Sequence, residues 1–230
     1  MHRATGHPFS AAGMVLFTAG IGCAYTLDRL LDKPANGYPR WVFLALVVVF
    51  ATAALAGVVA AVCLPVKTLS AAIIFAAASL FYRRLKQYPT AKTLLVAVVW
   101  TWGGAALPII DNHWAAWDWW SINVSYPLVL LLSAGCILCD LKDTEADSKL
   151  GVRSLPVVLG GNRATAIAIA LALTGALIAW SEGRMGLFYS GSLLVTAALF
   201  RPVLSRPAIG PLLVDAILSL PGLLILTHLV

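Results

Sequence analysis

Charge is what this sequence has least of. Only 11% of the residues are charged, ten of them acidic, against 60% hydrophobic residues and a mean hydropathy of +0.89. No ordinary water-soluble domain has that balance, so a soluble enzyme is excluded at the outset. Histidine is scarce too. The four histidines, His113 among them, share no metal-ligand spacing, which leaves each a structural or surface role. Cysteine is limited to positions 23, 63, 136 and 139, all in or beside apolar runs. Cys136 and Cys139 form a lone CxxC, which inside an apolar helix is small core filler and neither a metal nor a redox site.

Long hydrophobic runs are abundant. A membrane-crossing helix needs about 20 apolar residues, and eight runs qualify, near 9–29, 41–63, 66–83, 93–110, 121–139, 162–180, 186–203 and 208–229. The first has Arg3 ahead of it and Gly-Ile-Gly-Cys23 within it, a faint likeness to a signal sequence. It passes directly into charged residues, so we read it as a span. The expected fold is all-α: one polytopic membrane domain over residues 1–230, with approximate halves 1–110 and 111–230 around a central cavity.

The basic residues report orientation, because Lys and Arg accumulate on cytoplasmic loops. The loops after the first, third, fifth and seventh runs hold thirteen of the sixteen, leaving Arg3, Lys67 and Arg184 opposite. Both termini are therefore expected outside and the loops after odd-numbered runs inside. A net charge of +6 is explained by topology, with no need of nucleic acid as a partner.

The acids are few but gathered. Six of the ten lie in two segments, Asp28 and Asp32 after the first run, and Asp140, Asp143, Glu145 and Asp147 after the fifth. Four crossings separate the segments, so both are expected on one face of the membrane. In a continuous helix Asp28 and Asp32 share a face, and so do Asp140, Asp143 and Asp147. Carboxylates crowded at a membrane boundary call for a cation, and Mg²⁺ takes carboxylates, waters and the oxygens of a substrate phosphate. Between the segments, on the same expected face, runs Tyr82-Arg83-Arg84-Leu-Lys86-Gln-Tyr88-Pro89-Thr-Ala-Lys92. It offers cations to a diphosphate. Lys86 is the favoured contact there, whereas Arg83, Arg84 and Lys92 read singly as ordinary flanking charge.

Asp140-xx-Asp143-xxx-Asp147 running into Gly151-Val-Arg153-Ser-Leu-Pro156, with Tyr82-xxx-Lys86 and the Asp28 segment upstream, resembles the UbiA superfamily of intramembrane prenyltransferases. The resemblance implies a helical bundle with a cavity capped on the cytoplasmic side of a bacterial or archaeal cell membrane. It implies transfer of an isoprenoid chain from a prenyl diphosphate donor to a lipophilic acceptor amid membrane lipids. By the same resemblance Asp28 and Asp32 hold one Mg²⁺ and Asp140, Asp143 and Asp147 a second. Tyr82, Lys86 and Arg153 attend the diphosphate, whose departure leaves an allylic carbocation for the acceptor to attack.

Two departures from the family pattern are visible. An Asn is expected four residues before Asp28, and Ala24 stands there; family members also commonly carry nine spans, one of them ahead of the first acidic motif, which predicts a smaller or more open acceptor site. Alternatives to transfer are an isoprenoid-diphosphate-binding homologue with impaired catalysis, a terpene cyclase of the same fold, and an ion-coupled transporter. Crowding of the acids at one surface argues against the last. Elsewhere, Trp114, Trp117 and Trp120 in the loop Asp111–Trp120 suggest an interfacial anchor. Asp215 in the last run is either functional or paired with a loop Arg.

Overall fold

The computed structural model describes residues 10–31, 38–85, 88–112, 119–206 and 209–226, and for some of these, including 78–83 and 102–112, the backbone alone. Every regular element among the described residues is helical. In chain order they are α1 (Ala11–Leu31), α2 (Arg40–Val62), α3 (Val66–Leu85), α4 (Pro89–Asn112), α5 (Trp119–Asp140), a 3₁₀ turn (Leu141–Asp143), α6 (Thr144–Lys149), α7 (Leu155–Leu159), α8 (Gly161–Ser181), α9 (Met185–Leu199), α10 (Arg201–Leu204) and α11 (Ile209–Leu226).

A helix of at least 15 residues lies on each of the eight apolar runs. Among the described residues three of them, α1, α2 and α8, are long and apolar enough to cross a membrane. The helices on the other runs differ among themselves in length and in charge. The 15 residues of α9 rise only about 22 Å against a hydrocarbon core of about 30 Å, and α3 includes Lys67, Arg83 and Arg84 within its bounds.

The chain forms two compact units, one from residues 2–83 and 103–117 and the other from 84–102 and 118–230. In the first, α1 packs on α2 through small residues. A methyl added at Gly22 would lie 3.4 Å from Ala53 Cβ, and one at Gly57 3.4 Å from Ala19 Cβ, both ordinary contact distances. Few side chains are covered: Ala60 is the buried residue of α2, and Gly13, Ala19 and Thr26 are those of α1. Such helices show lipid-like faces to their surroundings, as expected where water supplies no drive to bury them.

The second unit has a true core, built by α5, α8, α9 and α11. Along α8 the buried residues Ala164, Ala168, Ala172, Gly175, Ala176 and Ala179 recur at threes and fours, one smooth stripe that lets neighbouring helices approach closely. Leu131, Ile137 and Leu138 of α5 fill the space opposite and are almost completely buried. Close approach is absolute at Gly191 of α9, where an added methyl would stand 2.7 Å from Ala176 Cβ and 3.0 Å from the Ala172 carbonyl oxygen. Ser190 Oγ, itself buried, donates to the Ile217 carbonyl at 2.8 Å and ties α9 to α11.

Candidate functional site

The acidic segment after α5 is shaped by three local devices. The α-helix ends at Asp140 and tightens into a 3₁₀ turn over Leu141–Asp143, with Thr144 Oγ1 donating back to the Leu141 carbonyl at 2.9 Å. After α6, Gly151 adopts φ +71°, the left-handed conformation a side chain resists. Val152 N–H then donates to Asp147 O at 2.9 Å and Gly151 N–H to Ser148 O at 3.3 Å, the paired bonds of a Schellman stop. Pro156 opens the first turn of α7, where a missing N–H costs nothing. The Gly-x-Arg-x-Leu-Pro letters therefore have a backbone meaning: they stop the acidic helix and start the next element.

This path changes the expected meeting of three carboxylates. Three-then-four spacing aligns side chains only on an uninterrupted α-helix, and the 3₁₀ turn breaks that register. Asp140 and Asp147 come together on one cation, Lys92 of α4. Lys92 Nζ donates to Asp140 Oδ1 at 2.8 Å and stands 3.9 Å from Asp147 Oδ2. All three side chains are largely withdrawn from the surface, at 16%, 12% and 14% exposure. Asp143 is directed elsewhere, 44% exposed and paired with its neighbour Lys142. Glu145 forms an exposed i,i+4 pair with Lys149. Among the described residues no three acidic, histidine or cysteine side chains are grouped to hold a metal ion.

Burial and pairing pull in opposite directions at Asp140, one residue past the apolar run. Desolvation pushes its carboxyl above the ordinary carboxylate range, while the Lys92 ammonium draws it down and the nearby Asp147 and Asp143 raise it further. The site also leaves polar atoms unanswered. Among the described residues Asp147 Oδ2 is buried without a hydrogen-bond partner, and so are the hydroxyls of Thr93, beside Lys92, and Ser154, in the segment after the Schellman stop. Buried polar atoms are almost always satisfied in folded proteins. A carboxylate oxygen so placed, in an all-oxygen donor set, fits a hard divalent cation.

The remaining predicted residues are distributed as follows. Asp28 is half-buried in the last turn of α1, one turn after the half-buried Ala24. Beside it Tyr25 and Arg29 associate, guanidinium over ring at 5.3 Å, and Tyr38 Oη donates to the Arg29 carbonyl at 3.2 Å. Arg153 is exposed. Asp32 and Lys86 lie outside the described residues, as do the side chain of Tyr82 and the tryptophan loop at 113–118. Cys136 and Cys139 are free thiols. Asp215 is exposed on α11 and forms no ion pair among the described residues.

Lys92 is the residue that sequence reasoning undervalued. It sits 48 positions from Asp140, so no local spacing links them. The usable signal was its place in the first turn of α4, three residues after Pro89, where a cation opposes the helix dipole and needs a compensating acid.

The UbiA prenyltransferase family profile matches residues 40–206, beginning after the Asp28 segment and covering Lys92, the whole second acidic segment and the Gly151–Pro156 turn. No curated protein and no solved structure matches the chain significantly. With a match over well more than half its length, on a strongly apolar and all-helical chain, this integral membrane protein belongs to the UbiA prenyltransferase family.

Proposed function

We propose that the protein transfers an isoprenoid chain from a prenyl diphosphate to a lipophilic acceptor within the membrane, with Mg²⁺ as cofactor. The observation that carries this reading is the pair Asp140 and Asp147, drawn together on one cation in a largely buried setting with a carboxylate oxygen left over. Asp140 and Asp147 would hold one ion, with Asp143 turning from Lys142 to join them, and Asp28 and Asp32 would hold another. When bound, Mg²⁺ supplies charge to neutralise the diphosphate leaving group.

The chain's own residues set the conditions for that chemistry. Lys92 holds Asp140 by a hydrogen bond at 2.8 Å and draws Asp147 to within 3.9 Å, so the two carboxylates are oriented toward one place. The Schellman stop at Gly151 aims the chain so that Arg153 follows directly on the acidic helix, and Tyr82, Lys86 and Arg153 add donors for diphosphate oxygens. Apolar helix faces exclude water, which would otherwise quench a carbocation.

The test is diphosphate release from prenyl diphosphates of several lengths by the detergent-purified protein. Release should need Mg²⁺, stop with chelator, and fall at least about a hundredfold in Asp143→Ala. Asp143 is half-exposed, so that variant should keep the native unfolding temperature. Undiminished release by Asp143→Ala refutes the assignment. Ala24, in place of the amide expected there, favours a second reading, a homologue that binds the diphosphate without ionising it.

A further inference from the structure

We propose that Lys92 is a built-in competitor for the metal, holding Asp140 and Asp147 in the metal-free protein and yielding those oxygens when a divalent cation enters. The inference rests on the Mg²⁺ reading above and adds to it an internal antagonist. Its basis is geometric. A single ammonium donates to Asp140 Oδ1 at 2.8 Å and sits 3.9 Å from Asp147 Oδ2, occupying the one place where both carboxylates converge. A divalent ion bridging the same two residues has to take that place, since an ammonium and a metal ion cannot share it without severe repulsion.

Charge arithmetic points the same way. Two carboxylates and one ammonium leave a local charge of about −1, too little to draw a divalent ion strongly from water, whereas the carboxylates alone would present −2 in a largely desolvated setting. The 3.9 Å separation at Asp147 is already beyond hydrogen-bond range, and among the described residues its buried Oδ2 has no hydrogen-bond partner. That arm of the clamp is half open. Lys92 is carried by α4, while Asp140 and Asp147 belong to the segment ending α5 and to α6, so the ammonium can withdraw by changes within its own long side chain.

Two measurements on the full-length protein in detergent test this. In the first, Mn²⁺ binding is followed by the loss of free-ion electron paramagnetic resonance signal in the native protein and in Lys92→Met, Lys92→Arg and Asp147→Asn. Lys92→Met should bind Mn²⁺ about tenfold more tightly than native, a difference of about 1.4 kcal/mol; Lys92→Arg should stay near native and Asp147→Asn should bind more weakly. Equal or weaker binding by Lys92→Met, with native binding lost in Asp147→Asn, overturns the role of Lys92 and leaves the metal reading standing. Absence of binding in every form overturns both. In the second, the native protein alone is treated with an amine-acylating reagent, so a misfolded variant cannot obscure the answer. Modification of Lys92, read by mass spectrometry, should quicken at least about threefold with saturating Mn²⁺ as the ammonium is released. An unchanged or slower rate means that Lys92 is only a structural tie and overturns the proposal.

Discussion

The two acidic segments are housed in differently built surroundings. Asp140 and Asp147 adjoin a four-helix core, sit under a dedicated counter-cation, and are set by a tight turn on one side and a glycine stop on the other. Asp28 rides the last turn of α1, in a unit where α2 buries one residue. An apolar protein can keep carboxylates charged where a cation and a fixed backbone are supplied together. Where the frame is thinner, the acids depend more on what binds them. The second segment is thus preorganised by the fold, and on the function proposed above the first would take its order from the ion it binds.

Removing Asp140 should break that contrast most severely. Asp140→Ala takes from the Lys92 ammonium its hydrogen-bonded carboxylate and leaves Asp147 at 3.9 Å, and losing one partner of a largely buried ion pair costs about 3 kcal/mol. Thermal unfolding in detergent should show a fall of several degrees, whereas Asp28→Ala should lose activity with a smaller loss of stability. Equal destabilisation by the two variants would mean that the first segment is as firmly framed as the second.

Packing offers the next contrast. Gly191→Ala forces a methyl to 2.7 Å from Ala176 Cβ and 3.0 Å from a backbone oxygen, a misfit of about 1–3 kcal/mol that helices with so smooth a seam relieve only by separating. Gly57→Ala places its methyl 3.4 Å from Ala19 Cβ, ordinary contact, and replaces a poor helix former by the best, so it should be neutral or stabilising by about 0.5 kcal/mol. Unfolding of the two variants compared side by side measures the difference. A harmless Gly191→Ala would show that α8 and α9 are loosely seated.

How much of this was legible in the sequence depended on whether the governing contact was local. The helices could be read because each long apolar run must satisfy its own backbone, and the Gly151 stop was visible as a letter though its geometry was not. The second segment announced itself by composition. Its arrangement did not: a helical face for Asp140, Asp143 and Asp147 assumed one continuous helix, and the 3₁₀ turn at Leu141–Asp143 redirects Asp143 toward Lys142. Lys92 was hidden for the opposite reason. Its partners lie across the fold, and basic residues beside a membrane helix have an ordinary explanation that needs no partner.

Ala24→Asn sharpens the comparison with the smallest structural disturbance. Position 24 lies one helical turn before Asp28 on α1, so an amide oxygen there joins the face that carries the carboxylate. Asn is a weaker helix former than Ala by about 0.5 kcal/mol, too little to move unfolding by more than a degree or two. Its effect should fall on metal dependence: Mg²⁺ retains waters readily, so a native site can operate with water where the amide is missing, and adding the amide should lower the Mg²⁺ concentration for half-maximal diphosphate release by about two- to tenfold. An unchanged Mg²⁺ requirement would place the limiting ion at the Asp140 segment, with the first segment contributing charge alone. Release by Ala24→Asn from a silent native protein would identify the natural chain as a diphosphate binder held one ligand short of catalysis.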